Sequence, residues 1–274
     1  MLNTIPNQKS DDINSDNLLE HNSKKRGVYL VPNLITTAGL FAGFYAIVAA
    51  MKTNFEPAAI ALFIAVIMDS LDGRVARLTG TQSAFGAQYD SLSDMVCFGM
   101  TPALVIYNLG LQYLGKIGWL IAFMYVAATG LRLARFNLSD DADKKFFIGL
   151  PCTSAAAVVA GMVWVATDFG IEGKIISQIA AAVIISLSLL MVSNLQYYSF
   201  KEIDLKNNVP FISIFLVVFM YSLIAWNPSG VLFSIFFLYA LSGVILFFKN
   251  RNKGINTANK EHNQLQAKIS AIKK

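Results

Sequence analysis

The residues of this chain best suited to chemistry are four aspartates in one short stretch. The sequence runs Asp69-Ser-Leu-Asp72-Gly73-Arg74-Val-Ala76-Arg77 and, after Leu78 to Phe85, continues with Gly86, Asp90 and Asp94. Asp69 and Asp72 are three residues apart, Asp90 and Asp94 four, so each pair occupies one face of a helix. Thr79-Gly80-Thr81-Gln82-Ser83 between them reads as a turn, which makes the two helices antiparallel and lets the acidic faces meet. Four carboxylates in one place repel each other unless cations bind. Donors that are all oxygen favour Mg²⁺ or Mn²⁺ over zinc or copper. Two such ions, about 3.5–4 Å apart, can hold a pyrophosphate and stabilise charge during phosphoryl transfer. Gly73 and Ala76 leave room for a nucleotide against the helix backbone. Gly86 is expected to let the two helices pack tightly. Arg74 and Arg77 are placed to neutralise phosphate, or one of them to pair with a carboxylate. Intramembrane aspartates also occur in buried salt bridges and in proton or cation pathways. The small residues set between these acids favour a catalytic site, and the turn at the membrane edge argues against a pathway across the bilayer.

The elements that position these acids are membrane helices. Apolar residues make up 55% of the 274 positions and charged residues 14%, against about 25% charged in soluble domains. The apolar residues fall in eight runs, Val28 to Met51 and then near 58–78, 86–109, 117–138, 151–168, 175–194, 210–226 and 230–248. Each is long enough to cross a hydrocarbon core of roughly 30 Å as a helix, the form that satisfies its own backbone in lipid. The predicted fold is therefore an all-α polytopic bundle with a transmembrane domain over 28–248. Residues 1–27 read as a disordered cytoplasmic tail and 249–274 as a basic one. Eight spans put both termini on one side. That side receives nineteen lysines and arginines; the other receives Lys52, Lys116 and Lys174. The net charge of +5 thus belongs to topology and to anionic lipid headgroups rather than to nucleic acid. Both histidines, His21 and His262, lie in the tails, which excludes a histidine-based site; Cys97 and Cys152 lack metal-ligand spacing and read as packing residues.

The pattern Asp69-x2-Asp72-Gly73-x2-Ala76-Arg77-x8-Gly86-x3-Asp90-x3-Asp94 resembles the signature of the CDP-alcohol phosphatidyltransferase family at every fixed position. The resemblance implies a six-helix core, here with two extra helices, and a site for two divalent ions. It implies that Asp69, Asp72 and Asp90 bind metal and that Asp94 is both a metal neighbour and the general base. Gly73, Arg77 and Ser83 match nucleotide contacts of the family; Ala76, Asn33 and Thr36 are further candidates for contact with CDP-diacylglycerol. Within the family the chain is similar to the branch whose acceptor is L-serine. The segments that carry this are Val31-Pro32-Asn33-Leu34-Ile35-Thr36, Ser91 to Gly99, Arg132-Leu133-Ala134-Arg135-Phe136-Asn137, Gly149-Leu150-Pro151, and Met191-Val192-Ser193-Asn194 with Ser199-Phe200-Lys201. Many relatives have a second proline soon after Gly-Leu-Pro, where this chain has Cys152-Thr153-Ser154.

A serine acceptor needs a cation for its carboxylate. Arg132 and Arg135 share one face at the cytoplasmic end of the fourth span, and a guanidinium fork suits a carboxylate; the alternative for either is positive-inside anchoring. The competing functions are the same transfer to glycerol 3-phosphate or inositol and, from a different class, a cation transporter. The resemblance further implies a homodimer in a bacterial inner membrane, with the site facing the cytoplasm.

Overall fold

A computed structural model describes residues 31–138, 146–198 and 211–247. It contains eight long helices: α1 Val31–Met51, α2 Phe55–Thr79, α3 Ala84–Leu109, α4 Lys116–Leu138, α5 Cys152–Asp168, α6 Gly173–Val192, α7 Phe211–Trp226 and α8 Pro228–Phe247. Their described ends fall within three residues of the predicted spans. Five of them, α1, α3, α4, α6 and α8, are long and apolar enough to cross a membrane. The architecture is a polytopic membrane helix bundle. The two tails, 1–27 and 249–274, lie outside the described residues, as do Lys144, Lys145 and Lys201.

The bundle is organised around α5, whose residues Ala155–Gly161 are all buried. Its alanines let neighbours approach closely. α2 lays Ala58, Ala59, Leu62 and Ala65 along it. α8 crosses at Gly161, where an added Cβ would stand 2.8 Å from the Phe233 Cα. α1 closes on α2 and α3 through Gly39 and Gly43. A Cβ on Gly39 would meet the Met68 Cβ at 3.2 Å, and one on Gly43 would meet the Cys97 Sγ at 3.0 Å. This pair four residues apart is the small-residue device by which membrane helices approach closely, since lipid offers no hydrophobic drive between them.

Two features differ from a purely α-helical reading. Phe146–Ile148 (β1) and Gln196–Tyr198 (β2) form an antiparallel two-stranded ribbon, with Phe147 opposite Tyr197. The ribbon lies between helices rather than within a predicted span, so it does not meet the constraint that forbids open strands in lipid. Within α3, Met95–Met100 is π-helical, beginning directly after Asp94. Such bulges widen the helix locally and recur at functional sites.

Candidate active site

The site begins with a helix stop and a helix start. Gly80 adopts φ 62°, and its N–H turns back to the carbonyls of Ala76 and Arg77, closing α2. Ser83 then caps α3 by accepting the Gly86 N–H at 3.0 Å. The short turn between them reverses the chain as the sequence predicts. It brings Asp69, Asp72 and Asp90 together, with one carboxylate oxygen from each lying within 4.8 Å of the others. Asp94 lines the cleft that they form. The cleft is lined also by Thr36, Gly39, Ala65, Ser93, Cys97 and Phe98. Asp72 is buried, and Thr36 Oγ1 donates to its Oδ2 at 2.6 Å. α1 therefore holds one of the carboxylates in orientation.

The remaining candidates for nucleotide contact are not among the residues lining this cleft and fall in two places. Arg77 Nη1 would lie 3.6 Å from a Cβ on Gly73, so the missing side chain leaves a lane beneath the guanidinium. Ala76, on the same turn of α2, is half-buried. Asn33 and Ser83 meet around Gly86: a Cβ there would stand 3.1 Å from Ser83 Oγ and 3.4 Å from Asn33 Oδ1. Gly86 thus admits its own cap and the start of α1, rather than the close α2–α3 packing expected of it. The reason is that the reversing turn leaves the start of α3 beside α1.

The two candidate arginines separate. Arg132 is buried, its charge reaches Asp94, and its Nη1 donates to Cys152 Sγ at 2.9 Å. Arg135 turns to the end of α6. Its Nη1 donates to the Val192 carbonyl and to Asn194 Oδ1, and its Nη2 to the carbonyls of Ile148, Met191 and Ser193. Gly149 completes this clasp with φ 80°; a Cβ there would lie 2.4 Å from the Met191 carbonyl oxygen. The Arg132–Asn137, Gly149–Pro151 and Met191–Asn194 segments, far apart in sequence, are parts of one joint. Cys152, read from sequence as packing, is a hydrogen-bond partner as well as a buried one. Ser93 and Cys97 were missed as cleft residues, although they follow Asp90 at helical spacings of three and seven.

Similarity to known proteins agrees with this geometry. The family model for CDP-alcohol phosphatidyltransferase matches residues 29–192. A CDP-diacylglycerol–serine O-phosphatidyltransferase of Helicobacter pylori is 35% identical over 221 residues, covering 80% of this chain and 91% of that protein. One of the same name from Methanocaldococcus jannaschii is 30% identical over 224 residues, covering 82% and 97%. An archaetidylserine synthase of Methanothermobacter thermautotrophicus is 34% identical over 179 residues, covering 64% and 73%.

Proposed function

This chain belongs to the CDP-alcohol phosphatidyltransferase family, and we propose that it transfers the phosphatidyl group of CDP-diacylglycerol to the hydroxyl of L-serine, giving phosphatidylserine and CMP. The observation that carries the chemistry is the convergence of the α2 and α3 carboxylates within 4.8 Å. The serine acceptor is supported by relatives whose names specify it.

An all-carboxylate set this close fits hard divalent ions, and Asp69, Asp72 and Asp90 would hold two of them, Mg²⁺ or Mn²⁺, with Asp94 beside them. Bound there, the ions would supply charge neutralisation for the pyrophosphate and for the departing CMP. The rest falls to the protein. Asp94 accepts the proton of the serine hydroxyl, which is a weak nucleophile until deprotonated. The serine oxygen attacks the diacylglycerol-linked phosphorus, the bridging P–O bond breaks, and its electron pair leaves with CMP. Gly73 and Ala76 let the nucleotide lie against α2, and Arg77 is positioned to neutralise its phosphate. Asn33 and Ser83, which meet around Gly86, are further candidates for contact with the nucleotide, and Thr36 acts chiefly by orienting Asp72. Arg132, beside Asp94, is the cation for the serine carboxylate. Arg135 is given to the clasp, where its Nη1 and Nη2 already have acceptors. The protein is an integral multi-pass membrane protein. Sidedness toward the cytoplasm of a bacterial inner membrane is supported by the nineteen-to-three distribution of basic residues; assembly as a homodimer rests on family likeness.

The deciding experiment offers serine, glycerol 3-phosphate and inositol separately to the purified protein with CDP-diacylglycerol and Mn²⁺, and measures CMP release. Serine is expected to support turnover; efficient use of glycerol 3-phosphate with no use of serine would replace the acceptor. Asp94→Ala should lose turnover while remaining folded, and near-normal turnover in that variant would remove Asp94 from the role of base.

A further inference from the structure

Two buried side-chain polar atoms lack a hydrogen-bond partner among the described residues: Tyr125 Oη and Arg132 Nε. Both belong to α4, seven residues apart and so on one face of the helix. Arg132 also adjoins Cys152 at the start of α5. Arg132 donates to its sulfur at 2.9 Å, and the Tyr125 phenol lies within its electrostatic reach. Arg132 is 8% exposed and Tyr125 0%, so neither can rely on bulk water for the missing partner. Buried donors are nearly always satisfied, and an orphan N–H on a charged group beside a reaction centre marks a place where a ligand supplies the acceptor.

The chemistry of the Cys152 contact matters here. A neutral thiol sulfur is a weak acceptor. It takes one N–H and fixes the rotation of the planar guanidinium without cancelling its charge. A carboxylate at the same place would neutralise that charge and remove the attraction for an anion. The Phe136 ring, 5.7 Å from the guanidinium carbon, adds a second uncharged contact, so the anionic group within reach of the guanidinium is Asp94 at the edge of the cleft. Arg132 is thus oriented beside Asp94 by two uncharged groups, with its Nε edge unclaimed among the described residues.

We propose that Cys152 is a positioning residue for the acceptor: its thiol orients Arg132 so that the Nε edge is kept for the serine carboxylate. The proposal rests on Arg132 being the carboxylate receptor. It makes Cys152, where this chain departs from the second-proline pattern of many relatives, a determinant of acceptor affinity.

The experiment compares Cys152→Ala, Cys152→Ser and Arg132→Gln in the full-length protein in detergent. Steady-state kinetics are taken with serine and with ethanolamine, which is serine without its carboxylate. Cys152→Ala should raise the KM for serine about tenfold and change kcat less than about twofold, the pattern of lost ground-state binding. The KM for CDP-diacylglycerol should stay unchanged, and the preference for serine over ethanolamine should narrow. In Cys152→Ser the hydroxyl can accept the same N–H, so the serine KM should return to within about threefold of the starting value. Arg132→Gln should raise the serine KM more than Cys152→Ala does. If Arg132→Gln raises it while Cys152→Ala leaves it unchanged, Arg132 keeps its role and the positioning role of Cys152 is overturned. If Arg132→Gln leaves the serine KM unaltered, the receptor assignment fails and the proposal with it. A loss of kcat and of both substrate affinities in Cys152→Ala, unrescued by Cys152→Ser and matched by a lower melting temperature, would show that Cys152 only packs.

Discussion

The aspartate cleft and the clasp at the end of α6 handle polar groups in opposite ways. In the cleft, α2 and α3 gather like charges within 4.8 Å, an arrangement that opposes folding until cations arrive. In the clasp, Arg135 meets five acceptors from two segments, and Gly149 provides the backbone shape that lets them converge. One region holds interactions open for ligands; the other closes them within the protein. Arg132 and Arg135 make the contrast sharp, since they are three residues apart on one helix and end in different regions. Substitutions in the cleft should therefore reduce activity with little loss of stability, and substitutions in the clasp should do the reverse.

The largest effect is expected for Asp90→Asn, which should lower turnover by about 10³-fold, near the middle of the range for loss of a charged catalytic group. The metal-free protein should melt no lower than the unaltered one, because removing one of several like charges relieves repulsion. Melting with and without chelator checks this, and a clear drop in the metal-free melting temperature would place Asp90 in a structural network instead. Next comes Gly149→Ala. It forces a side chain onto a positive φ and against the Met191 carbonyl, so a destabilisation of about 3 kcal/mol is expected, measured by thermal unfolding in detergent. Arg135→Ala leaves several carbonyls without their donor and should destabilise by about 2 kcal/mol. The KM for serine in the folded fraction should hardly change; a selective rise would return Arg135 to the acceptor site. The smallest effect is expected for Thr36→Val, which removes one hydrogen bond to Asp72. It should weaken the apparent affinity for Mn²⁺ roughly tenfold, as loss of a ligand's orienting partner does, read from the metal dependence of CMP release.

Much of the site can be read directly from the chain because its geometry is local. Asp69 and Asp72 share a face through helical periodicity, Gly80 and Ser83 signal the stop and start, and the two acidic faces meet because only a short turn separates them. The eight helices are equally local. A span is set by run length against bilayer thickness, and its backbone hydrogen bonds close within the segment. The clasp is different. Gly149-Leu-Pro and Met191-Val-Ser-Asn can be recognised as patterns, but their meeting on Arg135 joins positions more than fifty residues apart. In a membrane protein both lipid-facing and core-facing helix surfaces are apolar, so hydropathy does not reveal which face of α4 looks inward.

The sequence by itself determined that this is a membrane helix bundle with a carboxylate site built across one helix–turn–helix, because periodicity, span length and turn chemistry act over a few residues. Only the tertiary structure decided that Thr36 orients Asp72, that Gly86 borders α1, that Arg135 binds the end of α6, and that Cys152 holds Arg132 beside Asp94. The physical reason is that these contacts depend on how helices rotate and approach one another. That is set by small-residue packing across the whole bundle, from Gly39 and Gly43 on α1 to Gly161 on α5.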